Sequence, residues 1–273
     1  MIQTPEQKRM VKKYQRRGVT LVLLFILVMQ VPHFLGVDAG RVLSITFILA
    51  TAGAGMAYAA WVAVKIGRNA FAPGRERPMK IEPVTLEGNS VRLEPLSYNH
   101  IPNLWRAGAD PEIFRWMPYV IRSEEDMRNL VTTLMRFAEA GTWLPFATVH
   151  RPTGEVVGST SYLNIDTAHR RVEIGATWIT PRFQRSAVNT EAKYLMLRHA
   201  FEEWGCIRVE FKTDSLNEKS RAALTRIGAS EEGIFRNHMI QPDGRLRHSV
   251  YFSVIDSEWP DVKARLERMM SNR

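Results

Sequence analysis

Apolar residues are spread along this chain in two different ways. From Val19 to Val37 ("VTLVLLFILVMQVPHFLGV") and from Val42 to Val64 ("VLSITFILATAGAGMAYAAWVAV") they run on without a single charge. Each run, as a helix rising about 1.5 Å per residue, is long enough to cross a hydrocarbon core of roughly 30 Å. Only Asp38 to Arg41 lies between them. A link that short predicts an antiparallel helical hairpin, and Ala50, Gly53, Ala54, Ala57 and Ala60 would let its second helix approach the first closely. A cleaved leader is the rival reading of the first run and a pair of core helices the rival of both. The absence of any charged face speaks for membrane spans.

Beyond Thr85 the apolar positions come in short sets. "NSVRLEPL" alternates Val91, Leu93 and Pro95 against polar neighbours and predicts a strand. "SYNHIPNLWRAGA" and "SEEDMRNLVTTLMRFAEAG" predict helices, the second opened by Ser123 with Asp126 three residues on and closed by Gly141. "WLPFATVH" and "EVVGSTSYLNI", joined by the turn "RPTG", read as strands, followed by "RRVEIGATWIT" with Val172, Ile174, Ala176 and Trp178 on one face. A helix from about Val188 to Trp204 buries Ala192, Leu195, Met196, Ala200 and Phe201 and stops at Gly205. Then come the strand "IRVEFKT", the helix "NEKSRAALTRIGA", the strands "GIFRNHMI" and "LRHSVYFSVI" around "PDGR", and a last helix near Ser257.

Charge sharpens this division. The chain of 273 residues carries a formal +9, and all of it falls in residues 1–80, while residues 81–273 balance. A nucleic-acid binder would need its basic surface on the folded part, so that class is set aside. Six Lys/Arg from Lys8 to Arg17 precede the apolar hairpin and five from Lys65 to Lys80 follow it, which places both termini in the cytoplasm. The expected organisation is a basic cytoplasmic stretch over 1–18, a transmembrane hairpin over 19–66, a basic linker over 67–84 and one domain over 85–273. Localisation is therefore expected at the membrane, multi-pass, with the domain on the cytoplasmic side. Cys206 is the only cysteine, which excludes an internal disulfide and thiolate metal clusters.

The stretch "ITPRFQRSAVNTEAKYLMLRHAFE" (179–202) runs from a strand through a turn at Pro181 into a helix, with basic and amide groups crowded at the junction. Taken alone it is a helix N-terminus capped by Asn189 or Ser186. Together with "RVEFKTDSLNEKSRAALTRIGASEEGIFR" and "DGRLRHSVYFSVI", in that order, it resembles the GCN5-related N-acetyltransferase superfamily, in particular the branch that acetylates ribosomal-protein N-termini. The resemblance spans about Thr85 to Ile255.

It implies an α+β fold: a central, mostly antiparallel sheet with two splayed strands and flanking helices, here preceded by two transmembrane helices. It also implies an acyltransferase using acetyl-CoA, with no metal, acting on a primary amine such as a protein N-terminus. A small-molecule amine acceptor and a non-catalytic tethered acyl-CoA sensor are the alternatives. The superfamily's pyrophosphate loop has the form Gln/Arg-x-x-Gly-x-Gly/Ala; Gln184 opens it here, and Ala187 and Asn189 stand where glycines are usual. The donors to phosphate are backbone N–H groups at a helix N-terminus, so the resemblance assigns the cofactor to Trp178, Ile179, Gln184, Arg185, Ser186, Ala187, Val188, Asn189, Thr190 and Asn217. Arg182, Arg185 and Lys193 are the candidate phosphate cations. For catalysis it implies Glu173 as the carboxylate that receives the ammonium's proton and Asn217 and Ser220 as groups near the thioester. Without the resemblance, Glu173 reads as a surface glutamate, Asn217 as a helix cap, and His238 and His248 as structural.

Overall fold

One sheet of eight strands organises the protein. In chain order the strands are β1 (Leu86–Glu87), β2 (Val91–Pro95), β3 (Leu144–His150), β4 (Glu155–Asp166), β5 (Arg171–Ile179), β6 (Arg208–Asp214), β7 (Ser230–Ile240) and β8 (Leu246–Ile255). Their order across the sheet is β1-β2-β3-β4-β5-β6-β8-β7, every neighbouring pair antiparallel except β5 with β6. Among the described residues five α-helices flank it: α1 (Ile101–Ala107), α2 (Glu124–Glu139), α3 (Ala187–Arg198), α4 (Glu218–Ile227) and α5 (Trp259–Ser271). This computed structural model describes residues 79–271, within a unit that runs Pro73–Arg273. The expected transmembrane hairpin, the basic stretch before it and most of the linker lie outside the described residues. Among the described residues no helix is long and apolar enough to cross a membrane.

The helices form where the apolar spacing and the caps agree. Ser123 accepts the N–H of Asp126 at 3.1 Å while the Asp126 carboxylate accepts that of Arg122 at 2.8 Å, so one orphan donor of α2 is satisfied and the residue before the cap is tied to its first turn. From there Met127, Val131 and Leu134 fall on one buried stripe. Two cores result. One gathers α3, α5 and their sheet positions, including Val172, Ile174, Leu195, Met196, Val209, Phe211, Trp259 and Leu266, and takes in Met79 as well. The other packs α1 and α2 with Phe114, Ala147, Val149 and Trp178. Glu191 ties α3 to the start of the sheet, since its carboxylate accepts the backbone N–H groups of Asn89, Ser90 and Val91 at 2.8, 2.6 and 2.8 Å.

Trp178 departs from the expected alternation. Val172 and Ile174 belong to the first core but Trp178 to the second, because β5 carries a bulge. Ser161 pairs with Gly175 and Ser159 with Trp178, so β5 spends one residue more than β4 over that interval. Ala176 absorbs it at φ +48°. An extra residue in a period-two pattern moves every later side chain to the opposite face.

Candidate functional site

The site begins where the sheet comes apart. β5 and β6 pair only through Arg171, Val172 and Glu173 against Arg208, Val209 and Glu210. β5 then continues to Ile179 and β6 to Asp214 with no rung between them. The expected splay is thus present, and the backbone edges facing it remain available to an added extended molecule. Trp178 and Ile179 reach that edge through backbone alone, as both side chains are buried, Trp178 edge-on to Phe114 with ring centroids 5.3 Å apart.

At the far end of β5 a tight turn over Pro181–Phe183 leads into α3. Gln184 donates its side-chain N–H to the Ile179 carbonyl at 3.0 Å, which closes the turn. Ser186 is the cap: its hydroxyl donates to the Phe183 carbonyl at 2.7 Å and accepts the N–H of Val188 at 3.2 Å. The usual glycines are not needed here for conformation, because Ala187 already lies in helix and Asn189 two residues into it. The one left-handed residue of the loop is Arg185, at φ +61°. Among the described residues Arg185 is exposed and in no ion pair, and the Asn189 side-chain oxygen is buried without a hydrogen-bond partner. Thr190 is spoken for, accepting from Arg226 at 3.2 Å.

Two of the three expected phosphate cations are engaged elsewhere. Arg182 pairs with Glu155 and lies over the Phe183 ring. Lys193 is 5 % exposed; it points into the sheet and donates to Thr177 at 2.7 Å and Thr160 at 3.3 Å. Those two hydroxyls are themselves 2.7 Å apart. Desolvation by burial brings the Lys193 ammonium down to about 7. It therefore braces the residue beside the bulge rather than a cofactor.

Glu173 is no surface residue. It is 3 % exposed, because Leu163 of β4 and Glu210 of β6 flank it on both sides of the ladder. One oxygen accepts from the Asn164 amide at 2.8 Å and lies 3.6 Å from the Lys212 ammonium. Asn217 is the cap of α4, its oxygen accepting the N–H of Ser220 at 3.1 Å. That leaves the Asn217 amide N–H and the half-buried Ser220 hydroxyl free to act, with no other partner among the described residues. His238 bonds Ser249 at 3.0 Å, and His248 accepts the N–H of Asn237 at 2.8 Å. Cys206 is buried, and its thiol is pushed up to about 12 by desolvation, so it is no nucleophile. No cluster of metal-ligating side chains occurs among the described residues.

The sequence did not point to Asn164 or Lys212. Lys212 lies on the edge strand of the splay, and an alternating basic residue beside an expected catalytic carboxylate was the one signal available for it.

Residues 90–230 match the acetyltransferase (GNAT) domain. The chain is 36% identical over 110 residues to the provisionally named ribosomal N-acetyltransferase YdaF of Bacillus subtilis, a match spanning 40% of this chain and 59% of that relative. It is 29% identical over 194 residues to FsC-acetyl coenzyme A-N(2)-transacetylase of Aspergillus fumigatus, spanning 66% and 80% of the two chains. A crystal structure of a GCN5-related N-acetyltransferase from Brucella melitensis superposes with a TM-score of 0.66 at 32% identity, over 71% of this chain and 88% of that one.

Proposed function

Since the chain belongs to the GNAT acetyltransferase family, we propose that it is an acetyl-CoA-dependent N-acetyltransferase whose acceptor is the α-amine of a protein N-terminus. The observation that carries this reading is the splay itself: two strands that part after three paired residues, with a capped helix N-terminus at the end of one of them. The residues present suit the cofactor. The first-turn N–H groups of α3 and the exposed Arg185, in no ion pair among the described residues, are a donor and cation set for a diphosphate.

When bound, acetyl-CoA supplies an activated acyl thioester. The remaining work falls to the chain. The first turn of α3 and Arg185 would hold the diphosphate, and the backbone edge of β5 with the Asn217 amide would orient the arm that follows it. Glu173, kept in place by Asn164 and Lys212, takes the proton that an acceptor ammonium must lose before its nitrogen can attack. Ser220 stands ready to donate a proton toward the leaving sulfur. We further propose that residues 19–66 hold this domain at the cytoplasmic face of a membrane, a reading supported by the two uncharged runs and their basic flanks.

Thiol release from acetyl-CoA, measured with N-terminal peptides and small amines across pH, tests the reading. The Glu173→Gln variant should lose most rate below the acceptor's pKa and least where the amine is already neutral. A uniform loss across pH would assign Glu173 to packing, and no release with any amine would end the enzymatic reading.

A further inference from the structure

Two grooves meet at Phe235, and they differ in the charges that line them. One, of about 800 Å³, holds Glu173 together with Asp166, Glu210 and Glu232, with Arg171 and Arg208 as its cations. The other, of about 790 Å³, is lined by Phe235, Arg236, Asn237, His238 and His248 and contains no carboxylate. It owes its shape to an irregularity in β7. Phe235 pairs with Ser249 and Met239 with Arg247, so β7 spends four residues where β8 spends two, and Asn237 turns out at φ +49°.

Arg236 is exposed and in no ion pair among the described residues. Behind it, the Ser249 hydroxyl is shared by His238 at 3.0 Å and the Arg247 guanidinium at 3.2 Å. Arg247 is only 5 % exposed, and its other partner is the Trp116 carbonyl at 3.3 Å. Neighbouring cations each have a carboxylate, Lys212 near Glu173 at 3.6 Å and Arg245 on Asp214 at 2.7 Å. Arg247 has none within ion-pair distance among the described residues and feels Asp214 and Glu173 only at longer range. A guanidinium kept from water without an anion in contact is a costly arrangement, which a further anion nearby would ease. Burial, Lys212 and Arg247 together hold His238 below its usual range, so that the cationic character here belongs to the two arginines.

We propose that the carboxylate-free groove is an anion subsite for the acceptor, and that the acceptor is a polypeptide N-terminus with an acidic side chain among its first residues. Its amine lies beside Glu173 and its carboxylate on Arg236 and the two histidines, with Arg247 contributing its field from behind. Reach selects a polypeptide. Three strand spacings of about 4.8 Å separate β5 from β7, and Phe235 lies level with Asp214, four residues along from the rung of Glu173, so the span is roughly 19 Å, which about six residues of extended chain cover. The α-carboxylate of a free amino acid is far too close to its own amine to bridge it. The inference rests on the acetyltransferase reading above and specifies its substrate.

The test uses the whole chain of 273 residues in detergent and peptide pairs that differ only by Glu or Gln at one position among the fifth to seventh residues, with thiol release from acetyl-CoA as readout. The Glu peptide should show a KM about tenfold lower, equivalent to about 1.4 kcal/mol, with similar kcat. Arg236→Gln, at an exposed position, should bring the Glu peptide to the KM of the Gln peptide and leave the Gln peptide unchanged. Arg247→Lys should shrink the same ratio without abolishing turnover. Equal KM values for the pair in the wild type, or a preference that survives both substitutions, would overturn the subsite while leaving the enzyme standing. A free acidic amino acid preferred over every peptide would overturn it as well. No release with any peptide would instead defeat the acetyltransferase reading and this inference with it.

Discussion

Replacing Lys193 by Met should make the domain more stable at neutral pH and remove part of the gain in stability that the wild type shows as pH rises above about 7. The ammonium is buried, bonded only to Thr177 and Thr160, and brought down from its ordinary 10.5 to about 7 by desolvation. In the unfolded chain the same group titrates near its ordinary value, so above about pH 7 unfolding takes up a proton and stability rises with pH. Its charged form opposes folding fully below the folded pKa, and that opposition fades as pH climbs toward the unfolded one. From about pH 7 to about pH 9 the wild type should gain on the order of 2 kcal/mol from this one residue. Met fills similar space without a charge, and the Thr160 and Thr177 hydroxyls keep their 2.7 Å bond to each other. The assay is urea unfolding of residues 73–273 at several pH values, following tryptophan fluorescence. The difference between wild type and variant isolates Lys193 from every other titrating group. A difference that stays flat with pH would refute the reasoning, because it would mean that Lys193 remains an ordinary charged lysine in the folded state.

Other substitutions bear on the site directly. Ala187 is the first residue of α3 and follows an extended Ser186, at φ −91° and ψ −173°, where proline is well tolerated. Ala187→Pro should therefore remove one N–H and weaken CoA binding about threefold to tenfold by calorimetry at unchanged melting temperature, while Ala187→Gly should barely alter affinity. Ser220→Ala keeps the N–H that Asn217 caps, so turnover should fall by roughly tenfold with CoA affinity and stability held. Met79 is 9 % exposed in the core; a chain beginning at residue 81 should be about 2 kcal/mol less stable than one beginning at residue 73, as read by urea titration.

Much of this architecture is legible in the chain because local signals agree with tertiary ones. Ser123 and Asp126 announce α2, and Val91 with Leu93 announces β2 at residues the fold confirms. β1, of two residues, has no period to detect. The bulge at Ala176 is equally silent: alanine has no preference for φ +48°, and only the pairing with β4 requires it. That one hidden residue is why Trp178 changes core. The caps Ser186 and Asn217 were legible because capping is local chemistry. Burial of Glu173 and Lys193 was not, since it depends on neighbours some tens of residues away in the chain. The same holds for Arg247, whose want of a carboxylate is visible only once Asp214 is seen to be taken by Arg245.

The short joint between β5 and β6 has a mechanical meaning. Three paired residues are all that the hydrogen-bonded ladder offers between the strands β1 to β5 and the trio β6, β8 and β7. A molecule lying in the gap and bonding to both edges acts as a ninth strand that arrives and leaves with every turnover. Amide exchange should record this as protection that appears on both lips of the gap together when CoA binds, since neither edge can be completed without the other. On the proposed reading the protein's own sheet is unfinished between catalytic cycles, and its substrate completes it.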